Sequence, residues 1–244
     1  MFFFKKKYPK VEIFVRHCHF SKISQHKKRL PNFSKERCYY NLLKTTSLEK
    51  ANITFLLDTQ YPMEEDHFIK KQKEFPVIEI KEGTEAGAFL RLLDYVLSLN
   101  LDEETILYFL EDDYLHRENW LNVLLEAFTL SGIDYVTLYD HRDKYFLEQY
   151  RELMSKIFVT ASCHWRTIPS TTNTFSLKVK TLMRDLDIQR AFSQGQTISR
   201  DHEKFCDITT RGGVLISSMP GWATHVEEEY LSPCTDWKSI LISL

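Results

Sequence analysis

The sequence predicts an α/β protein: a twisted, mainly parallel central sheet with helices on both faces, in one domain spanning residues 1–244. Three observations predict it. Short apolar runs alternate with amphipathic stripes along the chain, the pattern of strands separated by helices. The run at residues 105–110 stops abruptly on three carboxylates, Glu111, Asp112 and Asp113. The 244 residues, 43% of them hydrophobic, suffice for one sizeable core.

Residues 11–15 (Val-Glu-Ile-Phe-Val) read as the first strand, and Ser34 caps a helix running through Cys38 to Leu43. Residues 53–57 form a buried strand ending on Asp58, and residues 77–80 form another that leads into Gly83. Phe89, Leu92, Leu93 and Val96 recur at i, i+3, i+4 and i+7, so a helix presents one apolar stripe there. The strand at 105–110 follows, then a Leu- and Phe-rich helix from about 117 to 130, then a strand at 134–138. The second half is less regular. Strands at 157–161 and 174–177 are joined by a polar Ser/Thr loop, followed by a helix through Met183 and Leu186 and a second opening near Asp201. A last strand at 214–217 precedes an irregular tail from Pro220 to Trp237.

With 32 basic against 34 acidic residues, the net charge of −2 gives no general attraction to nucleic acid. The opening Phe-then-Lys segment (Met1 to Lys7) has the wrong order for a signal peptide. At most it makes peripheral contact with an anionic membrane; a frayed terminus or a strand start is the alternative. No apolar run approaches the roughly 20 residues of a membrane span. Five scattered cysteines without a Cys-x-x-Cys pair indicate a reducing, cytoplasmic setting.

Three adjacent carboxylates repel one another and call for a compensating charge, such as a divalent cation. Mg²⁺ or Mn²⁺ held by one or two carboxylates and completed by phosphate oxygens fits the cluster at Glu111-Asp112-Asp113. A solvated helix N-terminus, where acids complement the dipole, is the alternative. Adjacent side chains in His17-Cys18-His19 fall on opposite faces of a strand and cannot all meet one metal, so structural zinc is rejected there. His202 with Cys206, and Cys163-His164, supply too few ligands.

Leu107-Tyr108-Phe109-Leu110-Glu111-Asp112-Asp113-Tyr114 resembles the hydrophobic strand and Asp-x-Asp motif of GT-A fold glycosyltransferases, family 2-like, in a Glu-Asp-Asp form. The resemblance implies a GT-A-like (Rossmann-like) fold, with a nucleotide-binding half at about 1–115 and an acceptor half at about 116–244. It also implies Asp113 as the primary ligand of Mn²⁺ or Mg²⁺, with Glu111 and Asp112 orienting the sugar, ribose or metal waters. The family reads the nucleotide base after the first strand and at the end of the second, where Arg16 and Asp58 stand here. An Asp carboxylate accepts the N3–H of uracil, which favours a UDP-sugar, although a strand-end turn is an equal reading of Asp58. Gly83-Thr84-Glu85-Ala86-Gly87 resembles the small-residue loop beside the nucleotide. Two glycines at a helix start let backbone approach a phosphate or ribose, and a plain strand-to-helix turn competes.

Inverting members place their general base at a helix start in the second half. Asp201 is the first candidate, with Ser199 as cap, and Glu203 the second; both also suit a helix dipole. His225 matches the late His that serves as a further metal ligand in several members. Trp165, beside the loop Ser170-Thr171-Thr172-Asn173, is placed to stack on a sugar face, and the segment Asp140 to Tyr145 to line the acceptor side. Bland surface loops are the alternative for both segments.

The implied reaction moves a sugar from a nucleotide diphosphate sugar to a glycan or lipid-linked acceptor hydroxyl. A nucleotidyltransferase on a related fold is one rival, disfavoured by the lack of glycine after Arg16-His17-Cys18-His19. A non-catalytic carbohydrate-binding or scaffold protein on a decayed transferase fold is another, and a metal-dependent hydrolase a third.

Overall fold

The computed structural model describes residues 10–21 and 24–244, so the Phe-then-Lys opening lies outside the described residues. Strand β1 (Val11–Cys18) is buried on both faces, as a strand covered on both sides must be. Ser34 accepts the Arg37 amide at 3.1 Å and starts α1 (Lys35–Thr45), as its cap position predicts. Strand β2 (Ala51–Asp58), the short helix α2 (Phe68–Lys71) and β3 (Val77–Ile80) follow. Thr84 accepts the Gly87 amide at 3.1 Å and opens α3 (Glu85–Ser98).

The apolar run is β4 (Ile106–Glu111), and the chain turns at once into β5 (Tyr114–His116). Next come α4 (Trp120–Ala127), β6 (Tyr135–Thr137), β7 (Ile157–Val159), β8 (His164–Thr167) and β9 (Phe175–Lys178). The helix expected through Met183 and Leu186 is two: α5 (Val179–Arg184) and α6 (Leu186–Ala191). They break at Asp185, whose carboxylate accepts the Tyr135 hydroxyl at 2.7 Å. Helix α7 (Asp201–Thr210) leads to β10 (Leu215–Met219). The expected irregular tail holds β11 (Ala223–His225) and α8 (Trp237–Ile242).

The described residues form a nine-stranded sheet in the order β3-β2-β1-β4-β9-β6-β10-β8-β7. It is mixed, not mainly parallel. β3, β2, β1 and β4 run parallel, as do β6 and β10, whereas β9 runs antiparallel between β4 and β6, and β8 and β7 form an antiparallel edge. In the edge pair the cause is connection length: β7 and β8 follow one another too closely for the crossover that parallel pairing requires.

Helices cover both faces. Ile13, Val15, Phe55 and Tyr108 pack against Leu42 of α1 and Trp120 and Leu124 of α4. Phe14, Leu56 and Phe109 pack on the other side against Phe89 of α3, Leu182 of α5 and Phe205 of α7. Alternate residues of β1 thus serve two cores. Among the described residues no helix is long and apolar enough to cross a membrane.

Candidate functional site

The chain leaves β1 toward β2 on one side and β4 toward β9 on the other, so β1 and β4 meet where the strand order reverses. Open α/β sheets leave a crevice beyond the carboxyl ends of strands at such a point. A cavity of about 600 Å³ lies there, walled by the ends of β1 and β4, the starts of α3 and α7, and the tail around His225.

Glu111, Asp112 and Asp113 all line it, and each faces its own cation. Glu111 lies 3.6 Å from Arg16, and its carboxylate accepts the Thr174 hydroxyl at 3.1 Å. Asp112 turns back across the sheet end to accept Lys35 Nζ at 2.9 Å, the Cys18 amide at 3.0 Å and His17 Nδ1 at 3.1 Å. Asp113 accepts Arg29 at 2.7 Å and His225 Nε2 at 2.9 Å. The compensating charge that such a cluster calls for is supplied in this structure by side chains of the protein. Burial alone would raise all three carboxyls. Lys35 and His17 hold Asp112 low, and His225 and Arg29 hold Asp113 well below the usual carboxylate range. Burial, with the charges of Asp113 and Glu85 adding to it, pushes Glu111 up to about 8 despite Arg16.

His225 reaches Asp113 through a two-stranded ribbon. β11 pairs antiparallel with β5, His225 stands opposite Tyr114, and the Val226 amide donates to the Asp113 carbonyl at 2.9 Å. The Asp113 and His225 donors suit one divalent cation, since metal–ligand bonds of about 2.1 Å put neighbouring ligands about 3 Å apart. Arg29 stands on the same two atoms, at 2.7 Å from Asp113 Oδ2 and 3.3 Å from His225 Nε2. A metal ion entering the pair would take over its role as counter-ion. Among the described residues no group of three or more His, Cys, Asp or Glu is set to hold a metal. The remaining coordination positions would fall to ligand oxygens and water, the usual manner of Mg²⁺.

Beneath the cavity lies a second charged group. Arg16, the expected base or phosphate reader, is 6% exposed and spent internally. It pairs with Glu85, donates to the Asn173 carbonyl at 3.1 Å, and packs 5.3 Å from the Phe89 ring centre. Glu85 also accepts the Asn173 side-chain amide at 2.9 Å and the Ser199 amide at 2.8 Å. Burial would raise Glu85, but Arg16 and these donors hold it near 2. Asp201 opens α7 and lines the cavity, yet its Oδ1 is buried without a hydrogen-bond partner. Burial and the charge of Glu85 push its carboxyl up to about 7, against Lys204 and Arg16. Ser199 does not cap this helix; Arg200 holds the cap position without a side-chain bond.

The other expected residues divide. Asp58 lines the cavity, but its two oxygens accept the Gln60 and Gly83 amides at 3.0 and 2.8 Å, as a turn residue does. Gly83 lines the cavity at φ +64°, and a Cβ there would meet Gln60 Cγ at 2.7 Å. Gly87 sits a turn further along, where a Cβ would meet Thr84 Oγ1 at 2.7 Å. Thr172 reaches the wall from the loop expected at the transferred sugar, and His141 from the segment expected on the acceptor side. Glu203 is exposed and away from the cavity. Trp165 is corrected outright. It lies on β8 with no exposed surface, its Nε1 donating to Thr160 at 3.1 Å, and it cannot stack on a sugar.

Lys35, Arg29 and Lys204 were missed, and Asn173 was named only as part of its loop. Only Lys35 left a trace: a lysine directly after a cap opposes the helix dipole, so it needs a local anion. No protein-family model matches the chain, and comparison with curated proteins yields no match. What the site can do follows from its own geometry.

Proposed function

We propose that this chain is a GT-A-type glycosyltransferase that moves a sugar from a nucleotide diphosphate sugar, a UDP-sugar by preference, to an acceptor hydroxyl with inversion. The observation that carries the reading is Asp201: a carboxylate poised near neutrality, with an unpartnered oxygen, on the wall of a cavity at the sheet's switch point. A general base works best when its pKa lies near the working pH.

In this reading the acceptor hydroxyl gives its proton to Asp201 as its oxygen forms a bond to the anomeric carbon. The bond from that carbon to the diphosphate breaks with its electron pair on the leaving group. The cavity's carboxylates outnumber its basic groups Arg16, Lys27 and Lys35, so a diphosphate entering it needs a cation. Asp113 and His225 would hold Mn²⁺ or Mg²⁺, whose charge would neutralise the departing diphosphate. Gly83 and Asp58 form the turn beside the nucleotide, and Arg16 acts from below by holding Glu85 and Glu111.

The test is turnover of a panel of UDP-sugars with Asp201→Asn. The reading expects hexose release or transfer to fall about 10²- to 10⁴-fold, with UDP binding retained. Undiminished turnover in Asp201→Asn would remove the base assignment.

A further inference from the structure

A lysine without exposed surface stands behind Asp201 and has no part in the reaction above. The Lys204 ammonium lies 4.5, 5.0 and 5.3 Å from the ring centres of Phe89, Phe205 and Phe175. Aromatic faces attract a cation but accept no conventional hydrogen bond, and a fully buried ammonium persists only where it is paired. Its bond goes to Asn173 Oδ1, and its ionic partner is Asp201 Oδ1 at 3.6 Å. Three residues apart on α7, the two side chains share one face. Their separation is too long for a hydrogen bond, and Oδ1 faces Lys204 from the buried side while the Asp201 side chain as a whole keeps 23% of its surface exposed at the cavity. The separation is short enough for strong charge coupling where water is scarce.

We propose that Lys204 is the positioning residue of Asp201: its ammonium favours the ionised carboxylate from the buried side, at Oδ1, and leaves the part of the carboxylate exposed at the cavity to receive the acceptor proton. The inference rests on Asp201 as the base. The other groups facing Asp201 are Arg16 from β1, Glu85 from α3, Glu111 from β4, and the Asn173 backbone amide. Glu85 and Glu111 oppose ionisation. Arg16 favours it, but its guanidinium is engaged by Glu85 and the Asn173 carbonyl, which leaves Lys204 as the cation directed to Asp201. Asn173 ties the arrangement together, since its side chain bridges Lys204 and Glu85.

The experiment is an NMR titration of the whole chain with ¹³C-carboxyl-labelled aspartate, the Asp201 signal being assigned from its loss in Asp201→Asn. The wild-type midpoint is expected near pH 7. Lys204→Met should raise it by at least about one pH unit, a tenfold gain in proton affinity, and Lys204→Arg should restore it. Coupling is reciprocal, so Asp201→Asn should lower the midpoint of the ¹⁵N-labelled Lys204 ammonium by a similar amount. That second titration leaves Lys204 in place and does not depend on whether a change there folds. An unmoved Lys204 midpoint in Asp201→Asn, or an unmoved Asp201 midpoint in folded Lys204→Met, would overturn the proposal. Full turnover in Asp201→Asn, with both midpoints shifted, would support the coupling while removing the base assignment on which its function rests.

Discussion

The Asp113 carboxylate and the His225 imidazole meet at 2.9 Å although 112 residues separate them, and the Arg29 guanidinium stands on both facing atoms. The pairing of β5 with β11 creates this meeting, so the tail is part of the site and not an appendage. The same economy holds below the cavity, where Arg16, Glu85, Asn173 and Lys204 are partners of one another before they are partners of any ligand.

Glu85 should be a stability residue. Its carboxyl is depressed from 4.5 to about 2, chiefly by Arg16 against the opposing effect of burial, so it stabilises the fold above about pH 4.5. That contribution, about 3 kcal/mol, is lost as pH falls toward 2. Glu85→Gln should cost about 2–4 kcal/mol at pH 7 by leaving buried Arg16 with only the more distant Glu111 as ionic partner. In denaturant titrations the gap between wild type and variant should close between pH 4.5 and 2. A gap constant across that window would contradict the pairing.

Asp201 should have the opposite sign. A carboxyl raised from 3.8 to about 7 by burial costs stability as pH rises through that interval. Asp201→Asn should therefore stabilise the fold above pH 7, by as much as about 4 kcal/mol, while removing activity. The wild-type pH–rate profile should fall below about pH 7 as the base is protonated. Thermal melts at pH 5 and pH 8 check the first part: the benefit must appear at the higher pH.

Trp165 belongs to the core. Trp165→Ala should destabilise the protein by about 3–5 kcal/mol, with UDP affinity in the folded fraction unchanged. Trp165→Phe should cost less, since it forfeits mainly the indole bond to Thr160. A selective loss of nucleotide affinity in a well-folded Trp165→Phe would return this residue to the site.

The first half of the fold was legible because its strands are continuous apolar runs and its helices carry caps and single stripes. Ser34 and the stripe from Phe89 to Val96 fall where the sequence puts them. The second half was not legible, because its order is decided by contacts remote in sequence. β8 reads as His-Trp-Arg-Thr, with a single apolar residue and no alternating pattern, and β11 has only three residues and exists through its pairing with β5. Among site residues, Glu111, Asp112, Asp113, Asp201 and His225 were readable as acids and a histidine at element ends. Their counter-ions were not, since nothing adjacent to Arg29 or Lys204 marks the anion each meets.

The central claim is that this cavity takes a nucleoside diphosphate together with a divalent cation at Asp113 and His225. Calorimetric titration of UDP, with and without Mn²⁺, on wild type and Asp113→Ala tests it most directly. The account predicts UDP binding that depends on Mn²⁺ and disappears in Asp113→Ala. No binding of UDP under any condition would remove the uridine assignment, and failure with GDP and dTDP as well would contradict the transferase reading itself.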